Sequence, residues 1–253
     1  MHFYLILLTP FVFFLSLCIG TVNIDILEVW SILFDILTFQ TSVDQSFTNQ
    51  LIIEDLRIPR TVLAWIVGAS LAVTGVAMQG LFRNPLADPS IIGVTSGASL
   101  GASFAAVLIN SFLPSFFGLS IVVIGAFLGG LFAVLLVYKL ASTRTLQYKN
   151  IPFSSIKGAS VATMLLLGIA ITALAGALNS ILIYIADNDT LRRISLWSMG
   201  GVDSANYQHI LISSLVILPS LILLFNLHKS LDVILLGESE AQLLGVKPKK
   251  IDL

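Results

Sequence analysis

The chain has 253 residues, of which 57% are hydrophobic and 11% are charged. A soluble domain carries about 25% charged residues, so this composition excludes an ordinary soluble protein and indicates one that lives in a lipid bilayer. The formal net charge of -1 offers no basic surface for nucleic acid. A single cysteine, Cys18, excludes a disulfide within the chain.

Six apolar segments are long enough to predict membrane-spanning helices. They cover residues 3–20, 61–81, 91–109, 119–138, 159–186 and 207–227. The predicted fold is an all-α polytopic membrane protein with six transmembrane helices in one domain, residues 1–253. The first segment has no Lys or Arg before its apolar core and no small-residue cleavage site, so we interpret it as an uncleaved span.

Residues 22–40, between the first two spans, show the pattern of an amphipathic helix. Apolar side chains share one helical face, and carboxylates lie mostly on the opposite face: Ile26, Trp30, Leu33 and Leu37 against Asp25, Glu28 and Asp35. This pattern predicts a helix lying on the outer, periplasmic membrane surface.

The loop charges predict the orientation of the chain. With the N-terminus in the cytoplasm, nine of the 13 Lys and Arg residues fall on the inner side. The other four, Arg57, Arg60, Arg192 and Arg193, fall on the outer side. Because cytoplasmic loops carry the excess of basic residues, we expect a cytoplasmic N-terminus and a cytoplasmic segment at 229–253.

Ionisable side chains are missing from the middle of every predicted span. Proton-coupled carriers and pumps place such residues within the membrane, so this pattern disfavours a secondary transporter driven by an ion gradient, which stays as the alternative function. The sequence also shows no phosphate-binding loop of an ATPase, no ligand spacing typical of a metal site and no nucleophile-base pair of an enzyme. We therefore expect transport without a cofactor, with energy from another chain.

Four blocks of sequence stand in a characteristic order. They are RIPR at residues 57–60, GASLAVTGVAMQGLFRNPLADPSIIGVTSGA at 68–98, LWSMGG at 196–201 and LGESEAQLLGV at 236–246. In this order they resemble the FecCD-type permeases of ATP-binding-cassette importers, a family that imports haem, iron-siderophore complexes and cobalamin. The segments QGLFRNPLADP and ADNDTLRRISLWSMGG are most similar to haem permeases.

The resemblance implies an assembly and a mechanism. Its members have ten spans and work as dimers of the permease, with two ABC ATPase subunits and a periplasmic or lipid-anchored substrate-binding protein. This chain would then be the first part of such a type II permease, in the cytoplasmic (inner) membrane and surrounded by lipid. Substrate would move by alternating access, driven by the ATPase.

The resemblance also assigns roles to residues near the C-terminus. The segment 229–253 would form the cytoplasmic coupling helices that enter a groove of the ATPase, with contacts from Gly237, Glu238, Ala241, Leu244 and Gly245. An amphipathic loop on the membrane surface is the alternative interpretation.

Further roles follow for the outer surface and the translocation path. Arg57 and Arg60 would pair with carboxylates of the binding protein, or alternatively anchor the start of a span. Asn84 and Leu86 match family residues at the cytoplasmic constriction, and Ser160 lies near the corresponding place in the fifth span. The stripe of Gly168, Thr172, Gly176 and Ser180 fits either helix packing or a pore lining.

Overall fold

The computed structural model describes residues 2–38, 46–109, 118–143 and 161–235, and every regular element in these ranges is helical. The α-helices are α1 His2–Cys18, α2 Ile26–Thr38, α3 Phe47–Leu51, α4 Ile58–Phe82, α5 Val94–Phe104, α6 Gly118–Thr143, α7 Val161–Ile185, α8 Asn188–Ser198, α9 Tyr207–Asn226 and α10 His228–Leu235. A π-helical segment, Ile52–Arg57, joins α3 to α4. A 3-10 helix, Pro89–Ile92, precedes α5, and a second π-helical segment, Ala105–Ile109, follows it. The all-α prediction is confirmed for the described residues.

Four described helical segments are long and apolar enough to cross a membrane: Phe47–Phe82, Ile121–Ser142, Ala162–Ile185 and Tyr207–Asn226. They support a multi-pass membrane protein. The first and third predicted spans contain shorter apolar helices, Ile6–Cys18 and Val94–Leu108. The 17 residues of α1 rise about 26 Å, just under the roughly 30 Å of a hydrocarbon core. The count of six spans and the cytoplasmic N-terminus stay predictions.

The second span begins earlier than the sequence pattern predicts. Helix continues from Phe47 to Phe82 over 36 residues, or about 54 Å, whereas the apolar segment starts at Thr61. The part of the helix before Thr61 carries polar side chains, which lower its hydropathy but are compatible with a helix. Within it, Gln50 Nε2 donates to Glu54 Oε1 at 2.9 Å, one helical turn away. Arg57 and Arg60 therefore lie within a long helix.

The chain divides into two compact units, and the first comprises residues 1–73 and 201–228. Its core is a cluster of buried aliphatic side chains from α1, α2 and the first π-helical segment: Leu17, Ile24, Val29, Ile32 and Ile53. Val29 and Ile32 are three residues apart, so α2 buries one face in this cluster. The helix lies within the predicted range 22–40; its position on the membrane surface stays a prediction.

The second unit comprises residues 74–200 and 229–253, and its most extensive described helix contact joins α5 to α6. A Cβ atom added at Gly97 would lie 2.5 Å from Ala133 Cβ, and one added at Gly125 would lie 2.6 Å from the Gly101 carbonyl oxygen. Gly129 makes the same kind of backbone contact. The four-residue glycine spacing in the third span thus produces the close helix approach that such spacing predicts.

Candidate functional site

The loop after α4 holds two of the residues assigned to the translocation path. Asn84 Oδ1 accepts a hydrogen bond from Leu86 N at 3.0 Å, and the Asn84 carbonyl accepts one from Ala87 N at 3.0 Å. These bonds fold the chain into a tight turn, in which Arg83 takes a φ of 49°. Ala87 is buried, whereas the side chain of Leu86 is 83% exposed. Asn84 therefore shapes the turn and Leu86 projects from it.

The next segment, the 3-10 helix, is capped at both ends. Asp88 Oδ1 accepts from Ser90 N at 2.7 Å, and hydrogen bonds from the Ser90 side chain and backbone hold the pKa of this carboxyl below its usual value. At the other end, Gly93 has a φ of 83°. A glycine takes this left-handed conformation without the steric cost that other residues meet. The chain can therefore turn sharply from the 3-10 helix into α5.

Two predicted residues of α7 lie against this turn. A Cβ atom at Gly168 would overlap the Ile91 carbonyl oxygen and lie 2.8 Å from Ile92 Cα, so backbone touches backbone here. One turn further along α7, Thr172 Oγ1 lies 3.1 Å from Ser96 Oγ of α5. Both hydroxyls are at least partly exposed. Packing explains Gly168, and Thr172 belongs to an exposed pair of hydroxyls.

The remaining residues of the predicted path are not part of this contact. Nothing lies within 4 Å of a Cβ atom placed at Gly176, so helix packing within the described residues does not explain this glycine. Ser180 Oγ donates to the Gly176 carbonyl of its own helix at 3.0 Å. Ser160 lies outside the described residues. So do all five residues assigned to ATPase coupling: Gly237, Glu238, Ala241, Leu244 and Gly245.

In the first unit, Arg57 occupies a position that the sequence does not indicate. Its side chain is 9% exposed, and Nη1 donates to the Leu17 carbonyl at 2.6 Å and to the Cys18 carbonyl at 3.1 Å, while Nη2 donates to the Val22 carbonyl. The carbonyls at the end of α1 lack partners within their own helix, and this end carries partial negative charge. The guanidinium caps α1 from another helix, so in this structure Arg57 is not presented for docking.

The loop after α1 is built around this cap. A Cβ atom at Gly20 would lie 2.7 Å from Arg57 Nη2 and 2.9 Å from Arg57 Cζ. Any other residue at this position would push against a guanidinium that three carbonyls hold in place. Gly20 therefore has a specific role, which is to admit the Arg57 side chain.

Arg60, one turn further along the helix, has a more open environment. Its Nε and Nη2 atoms donate to the Asp203 carbonyl at 3.2 and 2.9 Å. Beside it, the Tyr207 hydroxyl donates to the Glu54 carbonyl at 2.8 Å. These bonds attach the loop before α9 to the helix that carries Arg60. Arg60 is half-buried, whereas Arg57 is buried.

Three residues that form these helix contacts are not among those predicted from the sequence. Gly125 and Gly129 repeat the four-residue spacing of the third span and form the opposite side of the crossing, a signal that was present in the sequence. Ser96 had no such signal, because a lone serine in an apolar helix is common. No three His, Cys, Asp or Glu side chains in the described part of the chain are placed to hold a metal ion.

Known proteins resemble this chain in sequence. The model of the FecCD transport family matches residues 7–253. The haemin transport permease HmuU of Yersinia pestis is 40% identical over 199 residues, which are 79% of this chain and 55% of that protein. The vitamin B12 import permease BtuC of Vibrio vulnificus is 35% identical over 206 residues, or 81% and 56% of the two chains. The molybdate import permease MolB of Haemophilus influenzae is 32% identical over 234 residues, or 92% and 63%.

A solved structure extends the likeness to the fold. It is an inward-facing conformation of a metal-chelate type ABC transporter, with a TM-score of 0.74 and 32% identity over 98% of this chain and 68% of that one. The chain spans 55% to 63% of the length of the three relatives named above. The match over nearly the whole chain, together with the helical fold, shows that this chain belongs to the FecCD transport family.

Proposed function

We propose that this chain is part of the transmembrane permease subunit of an ABC importer in the cytoplasmic membrane. The observation that carries the proposal is the family match over residues 7–253. The implied partners are ABC ATPase subunits, a substrate-binding protein and a second copy of the permease. The relatives are permeases of import systems, which disfavours the alternative of a secondary transporter.

The proposed substrate is a metal chelate, namely haem or an iron-siderophore complex, or else cobalamin. Haem is the first candidate, because the relative at 40% identity is a haemin permease. The B12 permease and the molybdate permease follow at 35% and 32% identity. These values lie close together, and a direct binding measurement must therefore distinguish the substrates.

The proposed path is polar but uncharged where the structure describes it. Ser96 and Thr172 offer hydroxyls between α5 and α7, and Leu86 projects from the loop that Asn84 shapes. Hydroxyls can exchange hydrogen bonds with a passing solute without holding it as an ion pair would. In alternating access, Leu86 would then close the cytoplasmic end and the hydroxyl pair would line the space above it.

The proposed coupling contact lies in the segment 229–253, whose described beginning is α10, His228–Leu235. Gly237, Glu238, Ala241, Leu244 and Gly245 would form the surface that meets the ATPase. A movement of the ATPase on nucleotide binding would reach the spans through this contact. No covalent chemistry is assigned to the permease itself.

The test is the rate of ATP hydrolysis by the ATPase when it is reconstituted with the full-length permease and the binding protein. Substrate-loaded binding protein should stimulate hydrolysis in the wild type, and Glu238→Lys should abolish that stimulation while the permease still inserts into the membrane. An assembly in which Glu238→Lys responds like the wild type would contradict the coupling assignment. A wild-type permease that neither binds an ATPase nor stimulates it would contradict the proposed function.

The hydroxyl pair has its own test in the same system. Ser96→Ala with Thr172→Val removes both hydroxyls, and the loss of a hydrogen bond worth about 0.5–1.5 kcal/mol predicts a 2- to 10-fold lower transport rate. Ser220→Ala is the matched control, because among the described residues Ser220 Oγ donates only to the Val216 carbonyl of its own helix, at 2.8 Å. Equal rates for the double variant and the control would remove the pair from the path.

A further inference from the structure

Asn179, in the second half of α7, has a buried side-chain oxygen that lacks a hydrogen-bond partner among the described residues. This atom, Oδ1, is buried although the residue as a whole is partly exposed. An unpaired buried oxygen destabilises a folded chain, and in native structures such atoms are nearly always bonded to protein or to ordered water. A partner for this oxygen is therefore expected on the surface that α7 packs against.

Asn179 lies on the face of α7 that packs against α5 and the turn before it. Gly168 and Thr172, which make these contacts, precede Asn179 by eleven and seven residues. These separations are close to three and two complete turns of an α-helix, so the three residues share one face. Ala175 and Leu182 lie on the same face, and both are buried. The Asn179 oxygen is thus placed at a helix contact inside the second unit.

The register of the two helices places Ser103 of α5 opposite Asn179. The helices run in the same direction, because the contacts advance together along both, from Gly168 against the 3-10 helix to Thr172 against Ser96. Ser103 lies seven residues beyond Ser96. Asn179 lies seven residues beyond Thr172, so both helices have advanced by about 10 Å along their axes and have returned to the same face.

Ser103 is a second buried polar residue at this level of the contact. It is 2% exposed, yet its hydroxyl does not donate directly to Asn179 Oδ1, which has no described partner. The neighbouring positions on the facing sides, Ser99 and Ala175, are small and leave more space between the helices than leucine or isoleucine would. A small space with polar groups on both sides is the environment in which proteins hold buried water.

We infer that one buried water molecule bridges Ser103 and Asn179 between α5 and α7. The water donates a hydrogen bond to Asn179 Oδ1 and accepts one from the Ser103 hydroxyl. With the contact of Ser96 and Thr172, the bridge gives α5 and α7 two polar contacts, two helical turns apart. Lipid supplies no hydrophobic drive for helix association, so contacts of this kind fix the register of the helices.

The first test is a double-mutant cycle on the full-length permease purified in detergent, with the unfolding equilibrium measured in denaturant. Asn179→Leu keeps the approximate size and removes the oxygen. Loss of an interhelical hydrogen bond of about 0.6 kcal/mol should lower the folding equilibrium constant about threefold. Ser103→Ala should lower it by a similar factor, and the double variant should lose little more, because both changes remove the same bridge.

A matched control for the cycle lies next to Asn179. Ser180 Oγ donates to the Gly176 carbonyl of its own helix, and adjacent residues of a helix do not face each other. The effect of Ser180→Ala should therefore add to that of Asn179→Leu.

The second test detects the water itself, by radiolytic labelling of the wild-type permease in heavy-oxygen water. Hydroxyl radicals formed from a bound water oxidise the side chains beside it. Leu182, one turn from Asn179 and 8% exposed, should take up heavy oxygen in the wild type and lose this label in Asn179→Leu. Leu17, which is fully buried among aliphatic side chains, should stay unlabelled in both proteins.

Three results would overturn the inference. A higher folding constant for Asn179→Leu would mean that the oxygen is unpaired in the folded permease. Additive losses for Ser103→Ala and Asn179→Leu would mean that the oxygen bonds elsewhere, to residues outside the described ranges or to another chain. No label at Leu182 in the wild type would exclude the water, and with a coupled cycle it would indicate a direct bond between the two side chains. This last result needs no variant, so it is decisive even if a variant does not fold.

Discussion

Arg57 and Arg60 show how far two identical residues, three positions apart on one helix, can differ in role. Arg57 is pinned by carbonyls of α1 and the loop after it, whereas Arg60 holds one carbonyl and is half-buried. Their spacing and residue type predicted one shared function. The partners of Arg57 are backbone atoms 35 to 40 residues earlier in the chain, and backbone carbonyls leave no signature in a sequence. Docking by Arg60 stays a prediction.

Because Arg57 caps α1, the same substitution at Arg57 and at Arg60 should lower the stability of the permease by different amounts. Arg57→Gln should lower the stability of the folded permease by about 1.5–3 kcal/mol, the value of a hydrogen bond to a charged group, because buried carbonyls lose their donors. Arg60→Gln, with a more exposed side chain, should cost less than about 1 kcal/mol. The measurement is unfolding of the detergent-purified permease by heat or denaturant. Equal losses for the two variants would show that the α1 cap adds no more stability than the contact of Arg60 with Asp203.

If the substrate-binding protein docks at Arg60, the ranking of the two arginines reverses when affinity for that protein is measured. Arg60→Glu should weaken capture of the substrate-binding protein by no more than about tenfold, since an exposed ion pair is worth about 0–1 kcal/mol. The loss should shrink as salt rises and the Debye length falls from about 10 Å at 0.1 M towards 3 Å at 1 M. Affinity that is unchanged at low salt would leave Arg60 as an anchor of the loop at Asp203.

Among the elements, the crossing of α5 and α6 shows what glycine spacing does and does not predict. The repeat of Gly97 and Gly101 predicted a close approach of some helix, and the structure confirms it. Lipid provides no hydrophobic drive for helices to associate, so close backbone packing has to supply much of the attraction. The identity of the partner helix depended on a second pair, Gly125 and Gly129, which becomes meaningful only once the two helices are seen together.

The surroundings of two glycines, one in this crossing and one in α7, predict stability changes of opposite sign. Gly129→Ala should destabilise the permease, because a Cβ atom there would overlap the Gly97 carbonyl and lie 2.9 Å from Gly101 Cα. Gly176→Ala should stabilise α7 by about 0.5–1 kcal/mol, since its Cβ meets no atom within 4 Å and alanine is the better helix former. Unfolding of the two purified variants measures both effects. A destabilising Gly176→Ala would instead indicate that residues outside the described ranges, or another chain, contact α7 at this glycine.

The third predicted span illustrates a limit of apolar pattern at this scale. Hydropathy predicted one continuous segment over 91–109, yet the structure divides it into a 3-10 helix, an α-helix and a π-helical end. The break falls at Gly93, which has a positive φ and also lies against α7. Hydropathy reports how a segment partitions into lipid, and it carries no information about where the hydrogen-bond pattern changes.

For the whole molecule, composition together with long apolar segments was enough to predict an all-helical membrane protein, because a bilayer leaves helices and closed barrels as the only spanning structures and a barrel strand needs only about 9–11 residues. The number of spans is harder to predict. A segment of 17 residues such as α1 lies at the lower limit of length, where tilt, local thinning of the bilayer or neighbouring chains decide whether it crosses. The orientation depends on loop charges alone, and it determines which side every proposed contact faces.

Thiol labelling of intact cells tests that orientation at two described and exposed positions. In a Cys18→Ser background, a cysteine at Asp189 should react with a membrane-impermeant reagent added outside, because α8 follows α7 on the predicted outer side. A cysteine at Lys229 should react only after the cells are opened, because nine of the 13 basic residues, Lys229 among them, predict a cytoplasmic location for α10. The two positions are informative as a pair because α9 is the one predicted span between them.

If both cysteines react from the same side, α9 does not cross the membrane. A reversed pattern would keep the spans but invert the molecule, which would place Arg60 on the cytoplasmic side, beyond the reach of any external binding protein.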